Sequence, residues 1–188
     1  MTTEGTARMR LRGRRLTMVL TIALVVVLGG CASAAWALGR TRAVPMPTGY
    51  SAGPSSDSTV QLSAAASEHP RADQVRQTLQ RYFQAINGRD FDGWLAVVAT
   101  DQSANQTADD WLHRYSTTVD SNLVVVDVED DPLRARLMFT SVQDVAFAPK
   151  SLPVTCINWD LTYLLTDHDG TLVLSGIDPS AQSMTACQ

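Results

Sequence analysis

Metal-binding and redox side chains are scarce in this 188-residue chain: three histidines and three cysteines, with one lysine, Lys150, among fifteen basic residues. His69, His113 and His168 have no histidine or cysteine at ligand spacing, so no zinc pattern exists and nothing calls for a cofactor. Positive charge is also thin where the chain is longest. From Arg71 to Gln188 there are eight basic against sixteen acidic residues, a net charge of −8. Such a body repels nucleic acid and anionic lipid surfaces, which excludes both as expected partners. No internal repeat is present.

Charge is missing altogether over Leu16–Gly39, twenty-four residues directly behind an arm carrying Arg8, Arg10, Arg12, Arg14 and Arg15. As a helix this segment is roughly 36 Å long, enough to cross a hydrocarbon core of about 30 Å. The arginine arm holds residues 1–15 in the cytoplasm by the positive-inside bias and exports everything after Gly39. A competing reading starts from Leu28-Gly29-Gly30-Cys31, which resembles a lipobox in which Cys31 carries lipid after cleavage. Against cleavage, Ala32 to Gly39 continue the apolar run where a lipoprotein has a polar tether. Signal anchor, lipoprotein and simple secretion all place the remainder outside the cytoplasm, and the sequence leaves the three open.

An exported domain with an even pair of cysteines, Cys156 and Cys187, points to a disulfide, with two buried free thiols as the alternative. Residues 40–70 are rich in Pro, Ser, Ala, Gly and Thr and show no amphipathic period, so a disordered linker is expected there. Residues 71–188 then have the size of one domain. Val75, Leu79, Tyr82, Phe83 and Ile86 recur at helical spacing, and Asn87-Gly88 is expected to stop that helix in a left-handed turn. Asp90 caps a second helix through Trp94 and Val98. Thr107 or Ala108 opens a third with Trp111, Leu112 and Tyr115. After Asn122 the pattern becomes β: strands are predicted over 123–128, 133–145, 152–165 and 171–177, with Asp167-His168-Asp169-Gly170 as a hairpin turn. Helices followed by strands give an α+β fold, the helices packed in a curved antiparallel sheet.

The stretch from Thr78 to Ala99, with its helix, Asn87-Gly88-Arg89-Asp90 and second helix, resembles the opening of the nuclear transport factor 2-like superfamily, the cone shared by ketosteroid isomerases and SnoaL-like polyketide cyclases. The resemblance implies a cone over 71–188. In the isomerase branch a helix-one tyrosine donates a hydrogen bond to an enolate, and Tyr82 matches that position, though it reads equally as a core residue beside Leu79. The family's carboxylate base falls at Gln106, which cannot take a proton. A second acid falls at Asp160 or Trp159. Asp101 reads as a cap, and Asp109 and Asp110 as the acidic first turn of the third helix.

Without a base, no catalytic residue is expected. Tyr82, Trp94, Trp111, Tyr115, Trp159 and Tyr163 either line a pocket for a small hydrophobic ligand or form core. A single-pass anchor bearing such a cone resembles the mammalian-cell-entry-associated membrane proteins of actinobacterial lipid-import systems, and equally the bitopic assembly factors of secretion machines. The arginine bias agrees with an actinobacterial genome. The expected role is a non-catalytic accessory module with a protein partner in the cell envelope; a homodimer through the sheet is a superfamily habit that no strand here marks.

Overall fold

The computed structural model describes residues 53–188, and the arm, the anchor segment 16–39 and Cys31 lie outside the described residues. Among the described residues no helix is long and apolar enough to cross a membrane.

The chain is α+β with a five-stranded sheet in the order β1-β2-β3-β4-β5. A short β1 (Gln61–Leu62) precedes α1 (Ala64–Ser67), α2 (Ala72–Gly88), α3 (Phe91–Leu95), α4 (Thr100–Ser103) and α5 (Ala108–Tyr115). The long strands follow: β2 (Val119–Glu129), β3 (Arg134–Val142), β4 (Cys156–His168) and β5 (Thr171–Ala186). β2 to β5 pair antiparallel, while β1 runs parallel to β2.

Residues 40–52 of the expected disordered linker lie outside the described residues, but within 53–70 the first strand and helix are ordered. Val60 is buried, Ala66 is wholly buried, and Ser63 caps α1 through a bond from Ala66 N at 3.1 Å. Gln80 of α2 fastens the segment, accepting from Val60 N at 2.8 Å and donating to Ser58 O at 3.1 Å. A few apolar side chains and one amide are enough to order a stretch whose composition is that of a linker.

α2 forms as its period dictates, burying Val75, Leu79, Phe83 and Ile86 on one face. That face packs on β2 and β5. Thr78, buried in the same stripe, donates its hydroxyl to Leu172 O at 3.2 Å. The helix does not end as expected: Gly88 is still helical, and Arg89 takes the left-handed conformation at φ 59°. The strain of a non-glycine residue there is offset by its own guanidinium, which donates to Ile86 O at 3.0 Å, Asn87 O at 2.7 Å and, from α5's cap, Ser116 O at 3.1 Å. Asn87, freed from the turn, bridges to β2. Asp90 caps α3, accepting from Gly93 N at 2.9 Å, and Thr107 caps α5, accepting from Asp110 N at 3.2 Å.

Strand bounds differ from the sequence pattern for all four strands: β3 ends at Val142 rather than 145, β4 runs from Cys156 to His168 rather than over 152–165, and β2 and β5 differ more. β2 starts at Val119 rather than Leu123, because Asn87 and Ser141 satisfy the polar run that precedes the apolar one. β5 continues to Ala186 rather than Ile177, held against β4 by a Cys156–Cys187 disulfide and by Cys187 N donating to Cys156 O at 3.1 Å. The hairpin turn itself is Asp169-Gly170, both at positive φ, with Asp167 and His168 still paired in the ladder.

Candidate functional site

The six aromatic candidates all reach one hydrophobic core. Trp94, Trp111 and Tyr163 are buried within it; Tyr82, Tyr115 and Trp159 are partly buried and pack against it. Tyr82 meets Tyr163 edge-on with ring centroids 5.9 Å apart, and Trp94, Trp111 and Phe91 form a mutual triangle at 5.7 Å. Trp111 meets Tyr115 at 5.1 Å, while Trp159 stacks on Phe139 at 6.3 Å and is linked to Tyr82 and Tyr163 only through Phe139 and Phe83. These separations are those of rings in contact. The aromatics pack within the core between the helices and the sheet, in two groups: Tyr82 with Tyr163, and Trp94 with Trp111 and Tyr115.

A shallow depression of about 320 Å³ does exist on the solvent-facing side of α2, lined by Arg76, Gln77, Gln80 and Arg81, and involves none of the six. No group of three or more His, Cys, Asp or Glu side chains among the described residues is arranged to hold a metal ion.

Burial pushes the Tyr82 and Tyr163 phenols well above their ordinary range and raises Tyr115 as well. Trp94 neighbours Tyr82 and opposes its rise slightly, while its buried Nε1 makes no hydrogen bond. The phenols therefore stay protonated throughout the physiological range, as donors.

One acid shares this environment, and it is not among the sequence candidates. Asp120, second residue of β2, is 3% exposed, and its negative charge acts on Tyr82, Tyr115 and Tyr163. Burial raises its carboxyl from 3.8 to about 6, against the lowering effects of a hydrogen bond donated by Ser141 Oγ and of the more distant Arg89 charge. Its backbone is held by Asn87, whose Oδ1 accepts from Asp120 N at 2.7 Å and whose Nδ2 donates to Asp120 O at 2.9 Å. In the sequence Asp120 stands in Thr118-Val-Asp-Ser-Asn122, a polar run that reads as a connection, and only the pairing of Asp120 with Ser141 across the β2–β3 ladder makes it interior.

The other acids considered are elsewhere. Asp160 lies on β4 in a two-pronged ion pair with Arg136, at 2.8 and 2.5 Å, which fixes a partly buried face of the sheet. Asp101 and Asp109 are exposed, Asp110 is exposed and bonded to Thr107, and Gln106 sits in the turn before α5.

Compared with family models, curated proteins and solved structures, the chain matches none. The class that fold and site define is thus an α+β domain with a five-stranded sheet, an aromatic-rich core and, among the described residues, one buried acid.

Proposed function

We propose that the protein is a membrane-anchored, extracytoplasmic accessory module, non-catalytic, that docks a protein partner in a cell-envelope transport or secretion complex. The observation that carries this reading is the aromatic interior: Tyr82 packs on Tyr163, and Trp94, Trp111 and Tyr115 pack on one another, so these candidates are engaged as core side chains. The twenty-four uncharged residues 16–39 behind an arginine arm support the anchor, and the acidic body supports a protein rather than a lipid or nucleic-acid partner. Glutamine at position 106 supports the absence of isomerase chemistry.

Crosslinking the full chain in its native membrane, followed by purification in mild detergent, tests this. Stoichiometric membrane or secretion-machine subunits are the expected companions. A lone protein carrying a lipid or small hydrophobe overturns it.

A second reading is favoured by Asp120. A buried acid beside phenol donors is a constellation that binds, or moves a proton on, a small hydrophobic carbonyl compound. Under that reading Tyr82→Phe weakens retention of such a ligand at least tenfold; unchanged retention removes it.

A further inference from the structure

Asp120 stands where the C-terminus of α2, the start of β2, the end of β3 and the C-terminal half of α5 come together. α2 supplies Asn87 on its backbone and Tyr82 within range of its charge, and Arg89, which caps α2, supplies a positive charge at longer range. β3 supplies the Ser141 hydroxyl, α5 Tyr115 and β4 Tyr163. None of these is a salt-bridge partner. Arg89, the nearby cation, has its guanidinium turned onto the carbonyls of Ile86, Asn87 and Ser116. The neighbouring phenols stay neutral, so a negative charge at Asp120 is met by one hydrogen bond, from Ser141, and by the longer-range Arg89 charge, with no salt bridge.

The same junction governs a piece of surface. Val119, immediately before Asp120, is 46% exposed, and Thr117 Oγ1 accepts from Asp144 N at 3.0 Å, which ties the connection before β2 to the short 3₁₀ turn Val145–Phe147. Val145 on that turn is 49% exposed. That hydrogen bond links the backbone beside both exposed valines to the connection that leads into β2.

We propose that Asp120 is a proton-operated latch: neutral, it lets the end of the β2–β3 ladder close on α2 and α5, and ionised, it loosens that end together with the surface bearing Val119 and Val145. The direction follows from linkage. Because the folded state holds the proton at about 6 and the unfolded chain at 3.8, the stabilisation is fully present below pH 3.8 and is lost as pH rises through about 6. Each tenfold in proton affinity is a tenfold in the folding equilibrium, so the folded-to-unfolded ratio falls by up to about a hundredfold over that window on account of this group.

The experiment is chemical denaturation of the full chain in detergent, followed by tryptophan fluorescence from pH 4 to 7.5, for the wild type and Asp120→Asn. Other carboxylates contribute equally to both profiles. The wild type is expected to lose up to about a hundredfold more of its folding equilibrium than the variant between pH 4 and 7, and the variant to be at least as stable at pH 7.5. Parallel profiles overturn the proposal. Should Asp120→Asn not fold, Ser141→Ala decides: it removes the donor that favours the charged form, so the fall moves to higher pH, and an unmoved fall overturns the latch. Amide exchange at Val119 to Ser121, corrected for intrinsic rate, is expected to quicken at least tenfold more than that of β4 across pH 6; equal change in both places overturns it too.

Discussion

Asn87 does more for the fold than its place at the end of α2 suggests. Both its amide groups engage the backbone of Asp120, thirty-three residues on, at 2.7 and 2.9 Å. Asn87→Ala leaves the partly buried N–H and C=O of Asp120 without these partners, at a cost of about 2–3 kcal/mol. Urea denaturation of the variant measures it, with exposed Gln84→Ala as a control expected to stay within about 0.5 kcal/mol. Phe83 is the apolar counterpart: 1% exposed, with Tyr82, Phe139 and Tyr163 rings at 5.2, 5.0 and 6.2 Å. Residues of both kinds differ in how far they could be read from sequence. Phe83 announces itself by helical spacing from Leu79 and Ile86, since burial on α2 is local periodicity. Asn87 and Asp120 do not, because each takes its role from a residue brought beside it by the tertiary fold, and an Asn before a Gly reads first as a turn.

At the scale of elements, the caps are the legible part and the edges are not. Asp90 and Thr107 sit immediately before their helices and bond the third residue on, as short-range chemistry requires. Asp90 also wraps so closely over Gly93 that a Cβ there would lie 2.8 Å from Asp90 Cγ. Asp90→Ala thus removes the cap bond and is expected to destabilise by about 1 kcal/mol, read as a lower melting temperature. By contrast, the sequence pattern stops β5 at Ile177, because Asp178-Pro179-Ser180 has turn composition. Asp178 Oδ1 does accept from both Ser180 N at 2.9 Å and Ser180 Oγ at 2.7 Å, so the local chemistry is turn-like. The ladder with β4 is interrupted between Ile177 and Gln182 and then resumes to Ala186. A proline and an Asx turn in the last strand of the sheet blunt an edge that would otherwise offer a long row of free backbone groups.

At the scale of the whole molecule, order among the described residues depends on two fastenings far apart in sequence, and only the second is legible in the sequence. At the N-terminal side, Gln80 and Asn122 hold residues that read as linker: Asn122 N donates to Asp57 O at 3.0 Å and Nδ2 to Gly53 O at 2.5 Å. A Pro- and Ser-rich segment has no periodicity to betray that it docks, since its partners are side chains on α2 and β2. At the C-terminal side the fastening was legible, because Cys156 and Cys187 are an isolated even pair in residues 71–188, for which a disulfide is the simplest use. Cys156–Cys187 closes a loop 31 residues long in sequence separation and joins the two strands where the resumed ladder ends. In the chain-entropy account such a crosslink stabilises by roughly 3–4 kcal/mol. The ladder from Ile157 to Asp160 against Ser183 to Ala186 lies between the disulfide and the interruption, so it is the part that depends on the bond most. Cys156→Ser with Cys187→Ser is therefore expected to lower stability by that amount in urea and to speed amide exchange in residues 182–186. The hairpin at Asp169-Gly170 keeps its protection, since it is closed by its own turn and by Val97 and Ala99 bonding to Leu174 at 2.9 and 2.8 Å. Equal loss of protection along all of β5 would show instead that the interruption does not divide the strand, and that the disulfide steadies the sheet as one unit.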